Sequence, residues 1–528
     1  MRLFEEEDVR RPYIPWTIFD ELRDEKNYQY GDVGSLSRMY SRVWKRVTWE
    51  VTRSEPTLDG LCREIDQSRF GDVIAYLAKK KIPAGVLPQA FNWQHTIPKT
   101  FYVLLGVHNE LQGGTDTLLC GAGASYASFT EAFSKAIGEL LERYVFFSSF
   151  ISKRDNIVKK IFTDKKIPRA LLYESPRFFE WQRKYIPQGL TSEILKRNEI
   201  LKEHIRCVKG VSLHTGEKVY IPLQYIEWGP KYIRGKHNAD RYIFSPRTTN
   251  GAGGGFTLTD ATVSGLCELV ERDGFMIHWL NRLSPRRIRI EKNDPAAFSQ
   301  HFLDVYWSLS DRGHEVYFLD ITTDVHVPSI ACVILKPLSG GRKSISVTGK
   351  CSPDPSKAVE LALLEHMAFL SSSTEEETAR PMSTKYVPFA DGEMGRKERM
   401  QIWRGGGMTD KITFFLSGKE ISFRKWAEEF VPVPTDKKSM LLHVLGEFSR
   451  MEKEFGPGYE VFRYESRHKI LEELEYHVVK VIVPALVPLY LVENSALLDS
   501  ARLREVPKKL GYAAAPVDGY NPLPHPFP

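Results

Sequence analysis

Two short segments of this chain place the same acidic and basic residues at the same spacing. Glu139, Glu142 and Arg143 form E-x-x-E-R, and Glu268, Glu271 and Arg272 form it again. On a helix, residues three and four apart share a face, so each triplet presents two carboxylates and a guanidinium together. A single match of this kind is ordinarily a solvated helix face with internal ion pairs. Here it recurs, and its flanks are apolar: Leu140, Leu141, Val145 and Phe146 in one copy, Leu269, Val270, Phe275 and Met276 in the other. Buried carboxylates must be paired or hold a metal. Four glutamates from two helices make an oxygen-only donor set suited to Mg²⁺, which keeps waters and recruits nucleotide phosphates. Arg143 and Arg272 would then clamp phosphate oxygens.

The elements that must position these groups repeat as well. Gly121-Ala-Gly-Ala-Ser125 precedes the first triplet and Gly251-Ala-Gly-Gly-Gly255 the second; the first glycine stands 18 residues before Glu139 in one copy and 17 before Glu268 in the other. A weaker third copy follows Gly349 and runs from Ala358 to Glu365. Three glycine-led loops feeding three helices predict a pseudo-repeat built around a shared centre. Such loops permit close backbone approach, as phosphate loops do. The small residues one turn before each leading glutamate, Ala136 and Ser264-Gly265, leave room beside the carboxylates. The chain has neither G-x-x-x-x-G-K-[ST] nor the kinase set around H-R-D and D-F-G, so a nucleotide would bind through another architecture.

Helices are predicted over Thr130–Phe150, Thr259–Asn281 and Pro355–Ser371, with Thr130, Thr259 and Asp354 as N-caps. Val219–Leu223 and Ile330–Leu335 read as buried strands. No long Pro-, Ser- or Gln-rich linker interrupts residues 101 to 495, which favours one large α/β unit over separate beads. Residues 1–100 form a mostly helical head, with Leu58, Leu61, Ile65, Phe70, Val73, Ile74 and Leu77 largely at helical spacing. That head reads as a packing arm or as a winged-helix-like unit that grips a peptide.

Composition excludes several classes. Hydrophobic content of 42%, charged content of 27% and aromatic content of 12% describe a globular chain. A net charge of +6 over 528 residues is too dilute for a nucleic-acid binder. The six cysteines lie far apart with no C-x-x-C pair, which points to a reducing, cytoplasmic setting and away from disulfide or zinc frameworks. The longest apolar stretch, Val481–Val492, is twelve residues and contains Pro484 and Pro488, where a membrane span needs about 20.

Taken together, the two E-x-x-E-R helices, the Thr249-Asn250-Gly251 stretch before the second and the ordered third helix resemble the YcaO family, over roughly Leu104 to Pro528. Arg502–Gly511 and Val478–Pro484 are similar to that family's closing segments. The tail Asn521-Pro-Leu-Pro-His-Pro-Phe-Pro528 resembles its azoline-forming branch, the cyclodehydratases of thiazole/oxazole-modified peptides; by itself it reads as a polyproline II docking segment. The resemblance implies a pseudo-repetitive ATP-binding core at 101–528 and an ATP- and Mg²⁺-dependent reaction on a ribosomally made precursor peptide. A Cys, Ser or Thr side chain attacks the preceding amide carbonyl, the resulting oxygen is phosphorylated, and phosphate leaves to give an azoline ring. It implies Glu139, Glu142, Glu268 and Glu271 as Mg²⁺ carboxylates. Lys135, Arg143, Asn250, Arg272 and Glu365 become nucleotide contacts, and the terminal carboxylate of Pro528 a catalytic base or positioner. Lys135 stands where the family often has serine, and Glu365 where it often has glutamine, with no arginine following until Arg380. His366 beside it reads as a helix-packing histidine. Implied partners are a separate leader-binding or E1-like protein, an FMN-dependent azoline dehydrogenase and a second copy of the chain. Thioamide or macroamidine formation, or a non-catalytic peptide scaffold, are the alternatives.

Overall fold

The computed structural model describes chiefly residues 84–91, 100–107, 119–126, 129–146, 157–172, 204–227, 248–291, 297–370, 386–515 and 519–527, with short gaps inside some of these ranges. The helical head expected before residue 84 and the terminal Pro528 lie outside the described residues.

Three sheets make up the described fold. The first is antiparallel and runs β1 (Ala84–Phe91), β2 (Thr100–Val107), β3 (Leu119–Ser125). Its β1–β2 ladder pairs Ala84 with Val107 and Phe91 with Thr100, so it crosses the boundary expected at residue 101. The second sheet has six strands. β4 (Val158–Ile161), β5 (His204–Ser212), β13 (Phe462–Glu465), β14 (His477–Ile482) and β7 (Ala252–Gly255) lie in that order, and β6 (Lys218–Pro222) pairs β5. The third runs β11 (Lys343–Cys351), β10 (Ser329–Pro337), β9 (Glu315–Asp320), β8 (Arg287–Arg289), β12 (Glu420–Ser422). The strands expected at 219–223 and 330–335 are β6 and β10.

Each of the three predicted helices follows one strand: α1 (Phe129–Phe146) follows β3, α2 (Leu258–Leu280) follows β7, and α4 (Pro355–Leu370) follows β11. Between the latter two lies α3 (Gln300–Asp311). Every one of the three helices packs on its own strand and also reaches the next unit: α1 touches β7 and β14, α2 touches β10 and β11, and α4 touches β2 and β3. The three strand–helix units thus close a ring, which is the shared centre that the repeat predicts. α2 is the most enclosed of them. It is buried nearly all round because a sheet covers it on either side, and its apolar residues Phe275, Met276, Ile277, Trp279 and Leu280 enter one large core. Also in that core are α5 (Arg396–Arg404), α6 (Thr409–Leu416), α8 (Ala501–Lys509) and the C-terminal tail, while α7 (Lys437–Phe455) packs against the opposite flank of α2.

Two local expectations are corrected. The glycine-rich segments are strands, not phosphate loops. Glycine is required because the following helix lies directly on the strand: a Cβ on Gly123 would stand 2.5 Å from the Ala136 nitrogen, and one on Gly253 would stand 2.7 Å from the Gly265 nitrogen. Ala136 and Gly265 are small for the same contact, so the room expected beside the carboxylates is filled by backbone. The second correction concerns the helix caps. The N-cap of α2 is Thr257, whose hydroxyl accepts from the Asp260 amide at 3.0 Å, which places Thr259 inside the first turn. Thr130 lies within α1 and does not precede it, and the stretch expected to continue to Phe150 is described only to Phe146. Asp354 does cap α4, accepting from the Ser356 amide at 2.9 Å.

Candidate functional site

The two leading glutamates are held by the same device. Glu139 Oε2 accepts from the Ala122 amide at 2.5 Å, and Glu268 Oε2 accepts from the Gly251 amide at 2.8 Å, each donor being 17 residues upstream. In both units a backbone N–H of the preceding strand or turn fixes the carboxylate, so its orientation is set by the strand–helix packing and not by a flexible side chain. At Gly251, φ is 81°, the left-handed region that favours glycine, and the turn there aims the amide at Glu268. Glu139 also pairs with Arg143, and Glu268 Oε1 lies 3.7 Å from Arg272.

The second glutamates face inward. Burial pushes the Glu142 carboxyl up to about 8, with Glu268 and Glu139 adding to the effect and Arg143 and the Gly254 amide opposing it. Burial likewise pushes Glu271 up to about 7, against the pull of Arg272 and Lys350. Glu271 Oε1 is 3.4 Å from Arg272 Nη1 yet accepts no hydrogen bond from the described residues. Arg272 Nε and Nη1 are buried donors with no acceptor among the described residues. Arg272 is the hub: burial disfavours its charge, but Glu271, Glu268, Glu365 and Glu139 act on it from all three units of the ring and hold it firmly protonated.

Asn250 and Lys135 have donors occupied by other partners. Asn250 Nδ2 donates to Thr248 Oγ1 and to the Leu489 carbonyl, both at 2.8 Å, shaping the turn that carries Gly251. Lys135 donates to the Ala124 carbonyl at 3.0 Å and pairs with Glu131 at 2.7 Å. In the third unit, Glu365 pairs with Lys350 at 2.5 Å. His366 is a packing residue, as its sequence setting suggests: fully buried, bonded to the Cys332 carbonyl at 2.7 Å and to Ser346, with burial pulling its pKa down to about 4.

Two lysines join the site with no motif to announce them. Lys480, on β14, donates to the Thr248 carbonyl at 2.6 Å, and burial pulls its pKa down to about 7 although Glu268 and Glu142 favour its charge. Its only sequence signal is that it stands alone in the apolar run Val478–Ile482. Lys350 follows Gly349 in the weakest repeat, where no E-x-x-E-R draws the eye.

The tail enters the same place. Trp403 Nε1 donates to the Pro524 carbonyl at 2.9 Å, Tyr386 donates to the Pro522 carbonyl at 3.0 Å, and His525 bonds the Tyr490 carbonyl at 2.9 Å. A proline brings a carbonyl acceptor and no N–H, so the alternation suits a buried strap. At its end the Phe527 ring packs on Phe275 at 4.6 Å and covers the Arg272 guanidinium at 4.3 Å. Gly349 is glycine because this ring lies on it; a Cβ there would be 2.9 Å from Phe527.

The donor set can be weighed against Mg²⁺ and nucleotide on these features. Among the described residues no three His, Cys, Asp or Glu side chains stand close enough to grip one ion as they are oriented. The chemistry nevertheless fits: carboxylates alone, two of them with pKa values raised by burial and neighbouring carboxylates, and an arginine with unsatisfied buried donors among them. A divalent cation would relieve the repulsion, and phosphate oxygens would satisfy Arg272.

Comparison with known proteins bears on this arrangement. A heterocyclase solved with substrate and cofactor shares the fold at a TM-score of 0.61 and 16% identity, over 84% of this chain and 54% of that one. The heterocyclase TruD matches at 0.54 and 17%, over 75% and 50%, and a chain of the E. coli microcin synthetase McbBCD complex at 0.52 and 16%, over 84% and 97%. A protein of Rhizobium leguminosarum bv. trifolii, described as uncharacterized and encoded in the tfuA 3′ region, is 30% identical over 174 residues, 32% of this chain and 39% of the relative. The chain therefore spans about two-fifths of that curated relative's length and about half of each heterocyclase. Residues 120–487 match the YcaO family, described as an ATP- and Mg²⁺-binding cyclodehydratase, and they contain all three strand–helix units of the ring. The chain is a member of the YcaO family, whose ligands are ATP and Mg²⁺.

Proposed function

We propose that this protein is an ATP-dependent cyclodehydratase that converts Cys, Ser or Thr residues of a ribosomally made precursor peptide to azolines. The observation that carries the reading is the convergence on Arg272 of carboxylates from all three units, with the Phe527 ring of the tail laid over its guanidinium. The tail supports the azoline branch over thioamide or macroamidine formation, because its proline-alternating sequence is docked at the charged centre and not merely present.

ATP, when bound, supplies the phosphoryl group that turns an amide oxygen into a leaving group. Glu139, Glu142, Glu268 and Glu271 would hold Mg²⁺, with Glu139 and Glu268 oriented beforehand by the Ala122 and Gly251 amides. Arg143 and Arg272 would bear on phosphate oxygens, where charge neutralisation and positioning supply most of the catalysis. Asn250 would act by shaping the turn of Gly251, and Lys135 and Glu365 would serve as further nucleotide contacts. Phe527 lies over the Arg272 guanidinium, and the carboxylate of Pro528 would serve as catalytic base or positioner. Working with this chain would be the precursor peptide, a leader-binding E1-like protein and a flavin-dependent dehydrogenase.

The test is to supply a Cys/Ser/Thr-rich peptide with its leader, ATP and Mg²⁺, with and without an E1-like partner, and to follow phosphate release and peptide mass together. Loss of one water per phosphate released, abolished in Glu142→Gln and Glu271→Gln, is the expected result. Incorporation of sulfur, or turnover that survives in both variants, would overturn the assignment.

A further inference from the structure

The three units of the ring are alike in their leading glutamate and unlike in what answers it. Glu139 and Glu268 each face an arginine four residues on, Arg143 and Arg272, on the same helix. The corresponding position after Glu365 is Phe369, which bears no charge. The cation of the third unit comes instead from the strand: Lys350 Nζ reaches Glu365 Oε1 at 2.5 Å. Ser346, Thr348 and Lys350 alternate along β11 and face α4, with Thr348 bonded to the Ala362 carbonyl at 2.7 Å and Ser346 to His366. Gly349 faces the other way, toward Glu271 and the Phe527 ring.

β11 is the edge strand of its sheet among the described residues, so a long side chain at 350 has room to turn about that edge. Its charge is felt by Glu271 and Arg272 on α2 as well as by Glu365 on α4. Burial works against that charge, but Glu365 and Glu271 outweigh it and keep the ammonium protonated. Lys350 and Glu365 remain about a third exposed, at 34% and 37% of their side-chain surface, whereas Glu271 is 3% exposed. A solvent-reachable cation therefore lies within the field of buried Glu271 and of Arg272 with its unsatisfied donors.

We propose that Lys350 is a phosphate-binding residue, supplied by β11 in place of the helix arginine that the third strand–helix unit lacks. This rests on the reading of the ring as a nucleotide site. In the protein without nucleotide, Glu365 holds the ammonium in readiness; phosphate oxygens arriving with Mg²⁺ compete for it, and a lysine on a four-carbon stem can turn between the two acceptors. The proposal explains why this unit departs from E-x-x-E-R without loss of its cation.

The test is calorimetric binding of Mg²⁺ with a non-hydrolysable ATP analogue to the full chain, for wild type, Lys350→Met, Lys350→Gln and Lys350→Arg, with a melt of each protein in the absence of nucleotide. The neutral variants are expected to bind about 10-fold or more weakly, the loss typical of a hydrogen bond to a charged group. Lys350→Arg is expected to keep most of the affinity, and all four proteins to stay folded without nucleotide at the assay temperature, as the melts show. Unchanged binding in either neutral variant that folds overturns the proposal, and so does an equal loss in Lys350→Arg. If the wild type itself binds no nucleotide, the nucleotide reading of the ring fails, and Lys350 falls with it.

Discussion

Replacing Glu142 by glutamine is expected to stabilise this protein while disabling the proposed Mg²⁺ site, and the gain should depend on pH in a definite way. The Glu142 carboxyl is raised from 4.5 to about 8 by burial, Glu268 and Glu139. Between those values the folded chain binds a proton that the unfolded chain has released, so stability falls as pH rises through this window. A full shift of this size corresponds to a ceiling of about 5 kcal/mol above pH 8. Part of the side chain is reached by solvent, and about half of that ceiling is a fairer expectation. Glutamine keeps the shape and the bond from Gly254 but never ionises. Its advantage over wild type should therefore grow by about 1.5 kcal/mol between pH 5.5 and pH 8, measured by chemical unfolding without Mg²⁺ or nucleotide. With Mg²⁺ and an ATP analogue at saturation the order should reverse, because only the wild type gains from binding. A difference that is flat across this range, or that shrinks toward pH 8, would refute the view that Glu142 is a buried, repelled carboxylate.

Three further outcomes follow from the packing. Gly253→Ala should lower stability by about 1–3 kcal/mol or more and weaken Mg²⁺ binding, since its methyl would drive α2 and Glu268 away from β7; denaturation and metal titration read both effects. Thr257→Ala should cost about 1 kcal/mol in unfolding experiments and Thr259→Ala close to nothing, because only Thr257 accepts the Asp260 amide. Arg502→Met should cost about 3–5 kcal/mol, seen as an early melt, since it strands Asp273, bonded at 2.5 and 2.8 Å, without its buried cation and leaves Asp324, 2.9 Å from Arg502, to Lys509 alone.

The glutamates and arginines are legible because periodicity is enough to put i, i+3 and i+4 on one helix face, and because the motif occurs twice. The third helix and the pseudo-repeat follow from the same one-dimensional regularities. So does the lack of a long apolar stretch, and among the described residues no helix is long and apolar enough to cross a membrane. Chain order does not reveal which backbone lies on which. Glycine-rich segments have the same composition whether they cradle a phosphate or lie under a helix, and only the Gly123–Ala136 and Gly253–Gly265 contacts show that here they lie under helices. Thr259 carries the same side chain as the true cap, Thr257; the geometry of one amide separates them.

The two lysines mark the same boundary from the other side. Lys350 and Lys480 stand 82 and 212 residues beyond Glu268, in no periodic relation to it, and sheet pairing that no local pattern encodes brings them to the site. Helical spacing acts over a few residues, whereas the charge balance of a buried centre is settled by whichever strands close around it. The order of residues was thus sufficient to name most of the acids and bases that this protein gathers in its ring. Which of them are buried, which hold protons and which cations answer them came from the folded arrangement, because burial and Coulomb interaction depend on distance in space and not along the chain.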